Sequence, residues 1–188
     1  MRASTCFAFC LFGVVGADIE AACATDASQG PAIDAQLQSK LDAKLAVIKS
    51  WAREYVIVNA VNAYNTAASK RRGFTEEQWS AATGIEAPIR ALMENDAAQF
   101  LKQHRTADIT EAFVSGADGG KVAFLSKPTH WSHRGQAKHD VPMRGQSWQG
   151  HIELDRSSGF LQIQLAVPII DRGKPIGSLV VGVSPARL

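Results

Sequence analysis

The chain is 188 residues long, 46% hydrophobic and 20% charged, with a mean hydropathy close to zero. That composition suits one globular domain with one core and excludes a disordered or fibrous chain. Lys and Arg number 20 against 18 Asp and Glu, and the net charge of +2 is too small to coat nucleic acid or an anionic membrane.

Residues 1–17 carry Arg2 at the tip, then a short apolar stretch, then Val15-Gly16-Ala17 ahead of Asp18. A positive tip, a short apolar core and small residues at the cut predict a cleaved secretory signal peptide. Cleavage there removes Cys6 and Cys10 and leaves Cys23, which cannot form an internal disulfide. None of the three cysteines stands in a CxxC or CxxCH spacing, which argues against a thiolate zinc site and a c-type haem. Ala21-Ala22 before Cys23 leaves a lipoprotein reading open, although Glu20 stands where an apolar residue is needed. Residues 18–34 are expected to be a flexible leader, and 35–184 a single domain with no membrane insertion.

Residues 35–68 read as one long helix. Leu37, Leu41, Leu45, Ile48, Trp51, Tyr55, Val58, Val61 and Tyr64 step by three or four along one face. Lys70-Arg71-Arg72-Gly73 suits its negative end and its stop. Thr75-Glu76-Glu77-Gln78 is a capping box that should start a short helix toward Gly84. Residues 85–104 read as one or two helical pieces burying Ile89, Leu92, Met93, Phe100 and Leu101.

After Ala107 the period becomes strand-like. Strands are expected over 109–116 and 121–126, flanking the hairpin signal Asp118-Gly119-Gly120. Others are expected over 148–155, 160–170 and 176–183, with turns at 157–159 and 171–174. Residues 127–147 form an irregular insert between the second and third strands. A loop of that length in a compact domain is usually functional or disordered, and this one holds Trp131, Arg134, Lys138, Arg144 and three histidines.

Four stretches then become familiar together. They are 59–65 (Asn-Ala-Val-Asn-Ala-Tyr-Asn), 112–123 around Asp118-Gly119-Gly120-Lys121-Val122-Ala123, the strands at 152–157 and 162–171 with Val167-Pro168-Ile169-Ile170-Asp171, and the closing run 173–183 with Ile176-Gly177-Ser178-Leu179-Val180-Val181-Gly182. In this order, over residues 35–184, they resemble the Cache (PDC-type, PAS-like) family of extracytoplasmic sensor domains. The resemblance implies an α+β fold, a PAS-like five-stranded antiparallel sheet packed on a long N-terminal helix. It further implies a periplasmic module that holds a small molecule between the sheet and the insert, needs no cofactor and does no covalent chemistry. Such a module would act through a membrane receptor or histidine kinase, and its long helix could pair in a homodimer. Relatives often carry an acidic, aromatic run in the insert, where this chain has His130-Trp131-Ser132-His133-Arg134-Gly135. That exchange points to a more anionic ligand.

The residues give their own readings beside the family's. Arg134 can grip a carboxylate or phosphate in two-point fashion, with Trp131 as the apolar wall; affinity should then be lost in Arg134→Ala. Asp155 lies at a strand end, where it could pair an amine or make the Asp-x-Ser turn. Gln162 and Gln164 share one side of their strand, which should be solvent or pocket, since amides are costly in a dry core. His133 and His139 are ligand candidates in the insert, while Ser126, like Ser115, is a small hydroxyl that could equally be an ordinary strand position. His130, His133 and His139 could alternatively hold zinc, copper or nickel. Catalysis would have to recruit His133 or His139 with Asp140 or Asp155, and no hydrolase, P-loop or metalloprotease motif supports it.

Overall fold

The computed structural model describes residues 33–68, 73–154 and 159–188. The expected signal peptide, the leader up to residue 32, all three cysteines, the basic run 70–72 and Asp155 lie outside the described residues.

Asp34 opens the first helix, α1 (Ala35–Trp51), by accepting the Leu37 N–H at 2.7 Å. The expected single helix is two: α1 ends at Trp51 and α2 runs Tyr55–Ala68. Between them the ladder tightens to i→i−3 bonds, Arg53 N–H to Ser50 O and Glu54 N–H to Trp51 O. The tight turn shifts the buried side locally: Tyr55, expected inside, is 80% exposed and Ile57, off the expected face, is fully buried, while Val61 is buried as expected. The capping box forms as expected: Thr75 and Gln78 exchange both bonds at the start of α3 (Glu76–Ala81). α4 (Ala87–Glu94) and α5 (Asp96–Gln103) follow, with Asn95 as a double fixture. Its Oδ1 caps α5 at Ala98 N, and its Nδ2 donates to Val122 O on the outer strand of the sheet.

The strands are β1 (Ile109–Gly116), β2 (Lys121–Phe124), β3 (Trp148–Leu154), β4 (Leu161–Asp171) and β5 (Lys174–Val183). β2 ends two residues earlier than the pattern suggested, and β5 begins two residues sooner. All neighbours are antiparallel in the order β2-β1-β5-β4-β3. The α+β class and the five-stranded antiparallel sheet are thus as expected. The insert is less irregular than its composition suggested, holding the short helix α6 (Ala137–Asp140) and a 3-10 turn at Pro142–Arg144.

Pleating sends alternate residues to opposite faces. Ala112, Val114, Ile163, Leu165, Val167, Leu179 and Val181 face α1, α2 and α5, meeting Leu41, Ile48, Ile57, Val61 and Leu101. The other face carries Phe113, Phe124, Ala166 and Val180 against Trp79, Ile89 and Trp131. α2 is also pinned to both hairpin ends. Asn65 accepts the Ala117 N–H and donates to Ile176 O, and Asn62 donates to Asp171. Among the described residues no helix is long and apolar enough to cross a membrane.

Candidate functional site

Where α2, α3, α4, the β1–β2 hairpin and the insert meet, they enclose a cavity of about 960 Å³. α2 supplies Ala63, Tyr64 and Ala67, α3 and its end Gln78, Ala81 and Ala82, and α4 Pro88, Ala91 and Leu92. Phe74, Trp131, Asp118 and Lys121 complete the wall, with Glu86 at its side. A mostly apolar lining with few polar groups is what a small-molecule pocket needs.

Trp131 is held there by several separate contacts. Its ring packs at 5.1 Å from Phe74 and 5.2 Å from Trp79. Trp79 is itself fully buried, and its Nε1 donates to Pro128 O at 2.8 Å. Glu76, in the first turn of α3, accepts the N–H groups of Trp131 (3.2 Å) and Ser132 (3.0 Å). Burial pushes the Glu76 carboxyl up, but those two N–H groups and His130 hold it below its ordinary value. Gly73 permits the closeness, since a Cβ there would come within 2.8 Å of Trp131 Nε1.

Tyr64 reaches over the hairpin, and its hydroxyl donates to Asp118 Oδ2 at 3.1 Å. Gly120 is required beneath it, because a Cβ would collide with the Tyr64 hydroxyl. Burial first, and the Asp118 carboxylate second, push the phenol well above its ordinary pKa.

Lys121 borders the inner wall while remaining fully buried. Its Nζ lies 2.7 Å from His133 Nδ1, 3.4 Å from both Ser115 Oγ and Gly119 O, and 4.8 Å from the centre of the Phe113 ring. Among the described residues no carboxylate stands within ion-pair distance of it. Burial, then repulsion from Lys138, lowers its pKa to about 7 against the pull of Glu76, Glu111 and Asp118. His133, stacked on Phe113, is pushed down to about 2 by burial and then by Lys121. His139 lies behind this pair, bonded to Ser178 Oγ at 2.8 Å. Burial holds it below its ordinary value despite its bond to the Ala117 backbone.

The residues singled out in the sequence therefore scatter. Trp131 is on the cavity wall, and His133 and His139 are buried beneath the insert. Arg134, expected to reach into the pocket, is exposed and lies outside the cavity lining. Ser126 is exposed beyond the end of β2. Gln162 and Gln164 face neither solvent nor the cavity. They are buried with both amides donating to Glu111 Oε1, and Lys138 Nζ donates to Gln164 Oε1 at 3.2 Å. The three histidines of the alternative metal reading have separate partners: His130 pairs with Glu76 at 3.4 Å, His133 with Lys121 and His139 with Ser178. Among the described residues no group of three His, Cys, Asp or Glu side chains is placed to hold a metal ion. Asp140 Oδ1 accepts the Gly135 N–H at 3.1 Å. Sequence reasoning missed Tyr64, Glu76 and Lys121 as site residues. The available signal for Lys121 was its place opposite Ser115, on the side of the hairpin that also carries Phe113.

No model of a known protein family matches the sequence, and no curated protein matches it. Solved structures similar to it include the sensor domain of the histidine kinase DctB from V. cholerae. That domain is 16% identical over 77% of this chain and 57% of its own, with a TM-score of 0.37. Another is the ligand-binding domain of the Pseudomonas fluorescens chemoreceptor CtaA in complex with L-alanine, 15% identical over 79% and 53%, at 0.44. A third is that of the Pseudomonas aeruginosa amino acid chemoreceptor PctC with GABA, 12% identical over 79% and 55%, also at 0.44. Each is a sensor or ligand-binding domain. This chain spans about half the length of the solved structures it matches.

Proposed function

We propose that this protein is an exported, periplasmic ligand-binding sensor domain, without catalytic activity, whose cavity takes a small carboxylate. It passes occupancy to a membrane receptor or histidine kinase. The observation that carries this reading is an aromatic-walled cavity of about 960 Å³ bordered by Lys121, a buried amine with no carboxylate beside it among the described residues. An uncompensated buried amine favours an anion as its neighbour. Asp118 and the Tyr64 hydroxyl stand on the same wall, which suits a carboxylate that also carries an amine. Trp131 supplies the flat apolar contact. Arg134, the sequence-based anchor, stands outside the lining of this cavity.

Calorimetry and thermal shift with acetate, succinate, L-alanine, L-leucine and γ-aminobutyrate, and with neutral sugars as controls, test the reading. At least one carboxylate should bind, its affinity should fall tenfold or more in Lys121→Met, and Arg134→Ala should leave it unchanged. Binding of sugars alone, or a carboxylate affinity indifferent to Lys121→Met, would overturn it. Export is checked separately: the mature chain recovered from a periplasmic fraction should begin at Asp18.

A further inference from the structure

The cavity has walls of two kinds. On one side stand Phe74 and Trp131, whose rings meet edge to face with centres 5.1 Å apart. On the other, three helices present mostly small side chains: Ala63 and Ala67 from α2, Ala81 from α3, and Pro88 and Ala91 from α4. Ala63 and Ala67 are four residues apart, and Pro88 and Ala91 three, so each pair lies on one face of its helix. The fully buried residues of α2, Ile57 and Val61, belong to the core against the sheet instead.

These walls are wet. Ala63, Ala81, Pro88 and Ala91 are exposed, and Ala67 and Phe74 are half-buried. Among the described residues nothing covers this concave apolar surface, and such a surface marks a binding groove. Trp131, by contrast, is only 9% exposed. Its Nε1–H meets no acceptor among the described residues, on the side where Gly73 also borders the cavity. A nearly buried donor left open is a group that a bound molecule would satisfy.

Size decides between ligands. At about 30 Å³ per water molecule in the liquid, a cavity of about 960 Å³ has room for roughly thirty waters. An acid the size of acetate displaces only a few of them and leaves the alanine wall hydrated. Covering both walls at once takes a larger apolar body.

We infer that the ligand of this cavity carries a bulky apolar body, an aromatic ring or a branched chain of comparable size, and that Ala67 and Ala91 set this preference by leaving the helical wall open. This deepens the ligand-binding reading above, rests on it, and uses none of the contacts of Lys121. The body lies on the alanine wall and packs against the two rings. Each methylene moved from water onto these walls should tighten binding about fourfold. A leucine in place of Ala67 or Ala91 would fill that space with the protein's own side chain.

The test measures affinities on the full chain by calorimetry, using displacement for weak ligands. One series is acetate, butyrate, hexanoate and phenylacetate; the other is L-alanine, L-leucine and L-phenylalanine. 2-Phenylethanol supplies the body without the acid. In whichever series binds, affinity should rise at least tenfold from the smallest member to the largest. Ala67→Leu and Ala91→Leu should cost the largest member tenfold or more and leave the smallest within threefold. The series on the unaltered protein decides the matter by itself should a variant fail to fold. Affinity that stays flat or falls with size overturns the inference and leaves the carboxylate reading intact. Folded leucine variants that weaken small and large acids alike overturn the role given to Ala67 and Ala91. Binding of 2-phenylethanol but of no acid supports the apolar body and overturns the carboxylate reading. If nothing in either series binds, 2-phenylethanol included, both fall.

Discussion

His133 is stacked 4.9 Å from Phe113, takes the Lys121 hydrogen bond through Nδ1, and is nearly free of water. Its pKa falls from 6.5 to about 2, so between those values the unfolded chain binds a proton that the folded one refuses. Stability from this group is therefore complete above about 6.5 and is lost as pH falls. At pH 5 the loss is on the order of 2 kcal/mol. Urea unfolding at pH 7 and pH 5 should show that drop in the native protein and a smaller one in His133→Gln. Lys121 works at the other end of the scale. Its folded value of about 7 lies below the ordinary 10.5, so the unfolded state again binds more protons, and stability rises with pH through that window. Lys121→Met should abolish that rise and raise the melting temperature at pH 7, while losing the ligand. At this scale the sequence was only partly legible. Trp131 stands out as an aromatic in a polar insert. Lys121 reads as an ordinary cation after a tight turn, because only the fold reveals that the insert covers it.

Two of the hairpins show how far single elements can be read. Asp118-Gly119-Gly120 gives the turn expected, with Gly119 at φ +83° and Asp118 Oδ1 accepting the Gly120 N–H. In the β4–β5 hairpin Asp171 pairs with Lys174, leaving Arg172 and Gly173 as a two-residue loop with φ of +48° and +77°. Both central residues have the left-handed backbone of a type I′ turn, in which Asn-Gly is preferred. Arg172 occupies it at a cost of about 1 kcal/mol. Arg172→Asn should recover about 0.5–1 kcal/mol, seen as a melting temperature about 2 °C higher. The α1–α2 junction was illegible for a definite reason. Tyr55 and Val58 continue the apolar stripe beyond Trp51, and no glycine or proline marks the break. The tightened ladder at 53 and 54 goes with the burial of Ile57 in place of Tyr55, and that is a tertiary preference.

Across the whole molecule the sheet separates two unlike interiors. The face toward α1 and α2 is aliphatic, and strand alternation alone assigns its members. The opposite face mixes aromatics with Lys121, His133, His139, Gln162 and Gln164, all buried. An alternation rule marks Gln162 and Gln164 as inhabitants of a wet face. Glu111 makes that face habitable by accepting both amides, and it sits two strands away, where periodicity has no reach. Trp79 is the keystone of the aromatic half, touching Phe74, Phe124 and Trp131 and bonding Pro128 O. Trp79→Ala should cost about 3–5 kcal/mol in urea unfolding and close down ligand binding, whereas Trp79→Phe should keep more of both.

Asn65 bonds Ala117 at a separation of 52 residues and Ile176 at 111. Two closures far apart along the chain therefore end on one side chain. Whichever hairpin docks first on α2 leaves that amide already oriented, so the other has fewer degrees of freedom to give up. Removing the amide would loosen two neighbouring strands, β1 and β5, at one end in a single step.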